Sequence, residues 1–161
     1  CTWEWNNQTD IGKTFASSVE EKIAEFPEWE KEICMYWERW EDMIGGAVEG
    51  MLDWICELKK VGYKVYGLSN WSAETFPLVK DKFPVFKMMD GIVISGEELI
   101  AKPDHRIYQI LLNRYNLQAN ECVFVDDRQG NIDAAKELGI HGITFINCEQ
   151  AKNAFYHIIK N

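Results

Sequence analysis

No apolar run in the 161-residue chain approaches the roughly 18 residues needed to cross a bilayer. No basic stretch followed by an apolar one opens it either, so neither a membrane span nor a secretory leader is expected. Basic charge is scarce: 17 Lys+Arg against 26 Asp+Glu leave a net charge of −9. Surfaces for nucleic acid or anionic membrane need clustered Lys and Arg, so both partners are excluded. C-x-x-C pairs are missing as well. Cys1, Cys34, Cys56, Cys122 and Cys148 form an odd, widely spaced set, and Cys56 and Cys122 sit in apolar patterns. Structural thiols in a reducing, cytoplasmic setting are expected. Repeats, low-complexity segments and clear linkers are absent. An initiator Met is absent too: the chain starts at Cys1 and runs straight into Thr2-Trp3-Glu4-Trp5, which reads as the interior of a longer protein.

What is present is a core. Hydrophobic residues make up 47% and aromatics 13%, enough to drive packing and to argue against disorder. Five tryptophans (Trp3, Trp5, Trp29, Trp37, Trp40) fall within the first forty residues and suggest a helical, aromatic-packed unit, with a ligand pocket as the alternative to packing. Asp10 is placed to cap a helix running to about Glu25, with Phe15, Val19 and Ile23 on one face. Pro27 breaks the chain. A second helix carries Ile33, Tyr36, Trp37, Trp40 and Ile44 up to Gly45-Gly46.

From Ala47 onward, helical and strand patterns alternate. Strands are expected at Tyr63–Leu68, Gly91–Ser95, Cys122–Val125 and Ile143–Ile146. Helices lie between them, one begun by Asp104 and others closed by Gly62 and Gly139. Such alternation implies an α/β fold with a parallel, Rossmann-like sheet covered by helices. Ligands in such sheets bind beyond the carboxyl ends of the strands.

Three such positions carry polar groups: Ser69-Asn70, Lys102-Pro103 and Asp126-Asp127. Each has a structural explanation alone. Ser69 and Asn70 could cap a helix, Lys102 could be a solvated loop residue, and carboxylates suit a helix N-terminus. The aspartate pair asks for more, because adjacent carboxylates repel unless a cation, a proton or several donors compensate. Oxygen ligands suit Mg²⁺, which takes one or two carboxylates plus waters and substrate phosphate. With a hydroxyl, an amide and an ammonium added, the set fits a phosphoryl group.

The segments Gly67-Leu68-Ser69-Asn70-Trp71, Ala101-Lys102-Pro103-Asp104 with Ile107-Tyr108, and Val123-Phe124-Val125-Asp126-Asp127 with Asn131, Ala134 and Ala135 are ordered as in a known family. The chain resembles the haloacid dehalogenase-like hydrolase superfamily, in its second, third and fourth motifs. The closest-looking branch has a helical cap and includes α-D-glucose-1-phosphate phosphatases. The resemblance implies a partial helical cap in residues 1–45 and an α/β core in 46–161. It implies catalytic roles for Ser69 and Lys102, phosphate binding by Ser69, Asn70 and Lys102, a Mg²⁺ site at Asp126 and Asp127, and a bracing role for Asn131. The implied partner is a small-molecule phosphate ester, a small phosphorylated metabolite such as a sugar phosphate; no oligomeric state follows. Metal-independent 2-haloacid dehalogenases resemble the chain at Ser69-Asn70 and Lys102-Pro103 but carry small polar residues where Asp126-Asp127 stand, so they fit less well.

The family's first motif, an Asp-x-Asp that supplies the nucleophile, has no counterpart here: no Asp in the sequence is followed two residues later by another. The family places that motif on the central strand, between those ending at Leu68 and Val125. The resemblance therefore implies a sheet lacking its central first strand, a groove in its place, and a chain that is inactive by the family mechanism as it stands. The alternative is a non-catalytic module that binds Mg²⁺ or phosphate.

Overall fold

The computed structural model describes residues 3–160. Cys1 and the side chain of Trp3 lie outside the described residues, so the expectations placed on them go no further. Three helices come first: α1 (Trp3–Thr9), α2 (Phe15–Glu25) and α3 (Glu30–Glu38). Thr14, not Asp10, caps α2: its side chain accepts from Ser17 N at 3.1 Å. Asp10 instead occupies the turn after α1 and is buried. A hydroxyl one residue before the helix satisfies a free N–H that Asp10, four residues further back, cannot reach.

The remainder alternates as expected, through α4 (Met51–Lys60), β1 (Tyr66–Ser69), α5 (Phe76–Lys80), α6 (Pro84–Met88) and β2 (Gly91–Ile94). It continues with α7 (Ser95–Glu98), α8 (His105–Arg114), β3 (Val123–Asp126), α9 (Gln129–Glu137), β4 (His141–Thr144) and α10 (Cys148–Ile158). Asp104 caps α8 by accepting from Arg106 N at 2.9 Å. The first strand starts three residues later than expected, and the last both starts and ends two residues earlier. Phe145 and Ile146 fall beyond β4, where Ile146 is exposed although its side chain is apolar.

The sheet is divided. β1 pairs with β2 in parallel, Leu68 opposite Val93, and β3 pairs with β4, Val125 opposite Ile143. The two halves share no ladder. The break falls between β1 and β3, where the central strand was expected to be missing. Helices α8 and α9 hold the halves together: Ile107, Tyr108, Ala134 and Ala135 pack with Leu68 and Val93 of one half and against Phe124 of the other. Trp54, Ile143, Ala151 and Phe155 close the opposite face of β3–β4. The N-terminal helices join through Phe15 and Trp40, packed with Phe76, Val79 and Ile94. Trp5, Trp40 and Trp54 are therefore packing residues, whereas Trp29 and Trp37 keep substantial exposure. Cys34, Cys56, Cys122 and Cys148 are free thiols, half-buried. No helix among the described residues is long and apolar enough to cross a membrane.

Candidate active site at the strand ends

Ser69 is the last residue of β1 and Asp126 the last of β3, so both strands deliver their functional groups to one rim. Lys102 joins them. Its ammonium donates to Leu68 O at 2.6 Å and to Asp126 Oδ2 at 2.7 Å, and stands 5.3 Å from the centre of the Phe124 ring. The Lys102 and Asp126 side chains are only 9% and 8% exposed, so their charges meet in a poorly screened setting.

Asn70 fixes the backbone on which that ammonium is mounted. Its Oδ1 accepts from Lys102 N at 2.8 Å, and its Nδ2 donates to Lys102 O at 3.0 Å. The amide's acceptor and one of its donors are thus engaged with Lys102, which makes Asn70 a clamp on the second loop as well as a neighbour of Ser69. The Ser69 hydroxyl makes no hydrogen bond among the described residues and is half-buried at the strand end.

The two aspartates differ. Asp126 Oδ1 accepts from Asn131 Nδ2 at 2.8 Å and from Arg128 N at 2.9 Å, while Oδ2 takes the Lys102 ammonium. Asn131 is held in turn, its carbonyl accepting from the Tyr108 hydroxyl at 2.8 Å. Burial, and then the nearby Asp126 charge, hold that phenol well above its ordinary range. Asp127 is exposed and makes no hydrogen bond or ion pair among the described residues. Of the pair, Asp127 has the open oxygens. Hard, anionic oxygen donors suit Mg²⁺, and a site of this kind completes its shell with water and phosphate. Among the described residues, no group of three or more His, Cys, Asp or Glu side chains gathers as a metal site.

Several residues at this rim were not singled out by sequence. Ser95 Oγ accepts from Trp71 N at 2.9 Å, and Gly96 N donates to Trp71 O at 3.0 Å, tying the Ser69-Asn70-Trp71 loop to the end of β2. A Cβ on Gly96 would stand 2.4 Å from Ala73 N, so only glycine permits this approach. The place of Ser95-Gly96 just past a strand was the one available signal. Trp5, for which a ligand pocket was the alternative to packing, is used internally: Trp5 Nε1 donates to Ser18 O at 3.2 Å, and beside it Asn6 Oδ1 accepts from the Tyr36 hydroxyl. Asp10, in the turn after α1, is buried. Burial pushes its carboxyl up to about 6, with the Arg128 guanidinium pulling the other way.

A family model for haloacid dehalogenase-like hydrolases matches residues 4–139, and the chain belongs to that family. It is 34% identical over 87 residues to the sesquiterpene phosphatase astK of Aspergillus oryzae, a stretch making up 54% of this chain and 44% of the relative. It is 47% identical over 57 residues to acyl-CoA dehydrogenase family member 10 of Mus musculus, 35% of this chain and 5% of that protein. The chain thus spans less than half the length of these curated relatives. A solved HAD family enzyme from Bacteroides thetaiotaomicron, in complex with magnesium and inorganic phosphate, shares the fold with a TM-score of 0.73 at 23% identity, covering 92% of this chain and 77% of that one.

Proposed function

We propose that this hydrolase is a Mg²⁺-dependent phosphatase of a small phosphorylated metabolite, its activity requiring a nucleophilic carboxylate that these 161 residues do not contain. The observation that carries the reading is the Lys102 ammonium, fixed between Leu68 O and Asp126 Oδ2 beside the unengaged Ser69 hydroxyl. Phosphoryl transfer depends on positioning and charge neutralisation, and these groups supply both. Ser69 donates its hydroxyl to a phosphate oxygen. Lys102 holds positive charge where a nucleophile and the phosphate meet. Asn70 fixes the Lys102 backbone, and Asn131 keeps Asp126 turned toward the ammonium. Asp127, with Asp126 behind it, would hold Mg²⁺, which when bound neutralises charge on the phosphoryl oxygens.

Residues 1–45 serve as a cap over the core formed by 46–161. The likeness to a protein named a phosphatase supports this reading. So does the fold shared with an enzyme crystallised with magnesium and phosphate. The acidic pair weighs against 2-haloacid dehalogenation, since two carboxylates without a metal repel a substrate carboxylate.

Phosphate release by the full-length protein, measured with Mg²⁺ and with EDTA, tests the proposal. Release that needs Mg²⁺ supports it, and equal rates in both conditions remove the metal role. No release from a broad panel of phosphate esters, with phosphate binding retained, would identify a non-catalytic binding module instead.

A further inference from the structure

The ladder between β1 and β2 ends with Ser69 opposite Ile94. Beyond that pair the chain runs off the sheet as Asn70-Trp71, and strand pairing no longer fixes it. A loop that presents polar groups to a ligand in one geometry needs another support.

Ser95 supplies it. The residue directly follows Ile94 and is fully buried, and its Oγ accepts from Trp71 N at 2.9 Å. The same hydroxyl donates to Trp71 O at the longer distance of 3.4 Å, and Gly96 N donates to that oxygen at 3.0 Å. Both polar backbone groups of Trp71 are thus taken up by Ser95-Gly96. The Trp71 ring is anchored separately: its Nε1 donates to Thr75 Oγ1 at 3.0 Å, and it packs edge-on against Phe76. Anchoring the ring leaves the peptide plane before Trp71 free to rotate. The N–H that Ser95 holds belongs to that plane, the one joining Asn70 to Trp71, so this bond sets its orientation.

The plane leads straight into the site. Asn70 grips the Lys102 backbone from both sides, at 2.8 Å to its N and 3.0 Å to its O. Ser69 is one residue further back, with its hydroxyl unengaged among the described residues. One buried hydroxyl therefore stands behind both groups that face phosphate, the Ser69 hydroxyl and the Lys102 ammonium.

We infer that Ser95 is a positioning residue for phosphate binding, its hydroxyl fixing the Asn70–Trp71 peptide and through it the places of Ser69 and Lys102. The inference rests on the phosphatase reading above and goes beyond it by assigning a residue that acts through the loop, not by touching phosphate. Without the hydroxyl, Trp71 N loses its acceptor, and the peptide turns to find another, carrying Asn70 and Ser69 with it.

The test titrates inorganic phosphate into the full-length protein by calorimetry, at saturating Mg²⁺ and well below the melting temperature. In Ser95→Ala the Kd for phosphate is expected to rise by roughly tenfold. Ser95→Thr keeps the hydroxyl and should recover most of the affinity. Ser72→Ala is the comparison. Ser72 is buried in the same loop, but its Oγ accepts from Glu74 N at 3.1 Å, on the side of Trp71 away from Asn70. Its loss removes a similar bond without touching the Asn70–Trp71 peptide, so phosphate affinity should stay at the wild-type value. Melting temperatures show that each variant is folded. Weakened binding in Ser95→Ala alone supports the inference. Wild-type affinity in Ser95→Ala, or an equal loss in Ser72→Ala, overturns it and leaves Ser95 a structural residue. A loss in Ser95→Thr as large as in Ser95→Ala, at an unchanged melting temperature, overturns it too. A wild type that binds no phosphate defeats the phosphatase reading itself, and the Ser95 inference with it, before any variant is made.

Discussion

Lys102 and Asp126 form a buried ion pair across the break between the two half-sheets, Nζ to Oδ2 at 2.7 Å. Each partner is further satisfied: Lys102 by Leu68 O, and Asp126 by Asn131 and Arg128 N. Desolvation of two charges is offset only by this kind of complete bonding. The pair therefore links the half-sheets and holds positive charge at the rim.

Replacing Lys102 with Met keeps an apolar stem near Phe124 but leaves Asp126 buried without its cation. The expected loss is about 3–5 kcal/mol at neutral pH, measurable by urea unfolding, together with loss of phosphate binding. A variant that unfolds at the wild-type midpoint would show that the pair carries little of the fold.

Asn131→Leu removes one of three donors to the Asp126 carboxylate and frees the Tyr108 side of the loop to shift. A loss of about 1–3 kcal/mol is expected from the unsatisfied oxygen. Activity of the full-length protein should fall further than stability alone accounts for, since Asp126 can then turn away from Lys102.

Asp127→Asn should do the opposite. Asp127 is exposed and unbonded among the described residues, so the melting temperature should move little. The Mg²⁺ concentration for half-maximal phosphate release should rise by at least about tenfold. A large change in melting temperature with unaltered Mg²⁺ dependence would contradict both halves of this expectation.

Two carboxyls give stability opposite dependences on pH. Asp10 stands at about 6 in the folded chain against an ordinary 3.8. Between these values the folded state binds the extra proton, so stability falls as pH rises from about 4 through 6. Asp10→Asn should remove that decline and be more stable than wild type at pH 7, on the order of 1–2 kcal/mol. Asp90 is held down at about 2, first by the Lys59 ammonium and then by Val65 N, with Lys64 adding to them. Its contribution is present above its unfolded value and is lost as pH falls toward 2, which should appear as an acid limb in unfolding curves that Asp90→Asn abolishes.

Gly12→Ala should cost about 1–2 kcal/mol, from a side chain at positive φ and from displacement of Leu99. Leu99→Ala should relieve the steric part, so the double mutant should be less destabilised than the sum of the two singles. Strict additivity in that cycle would show that the turn does not press on Leu99.

The sequence alone was enough for what depends on neighbours along the chain. The alternation of strands and helices, the Asp104 cap, and the seating of Ser69 and Asp126 at strand ends all follow from apolar spacing and from polar residues placed just past it. The missing pairing between β1 and β3 was also legible, because no Asp-x-Asp strand could be found to fill it. The rest was settled by tertiary structure. Asp126 and Asp127 are identical and adjacent, yet one receives Lys102 from 24 residues away and the other receives no hydrogen bond or ion pair among the described residues. Asp10 reads as a helix cap until the packing of α1 and α2 against the core buries it opposite Arg128. Burial and charge environment depend on groups distant in sequence, and no local pattern encodes which of two like side chains will meet them.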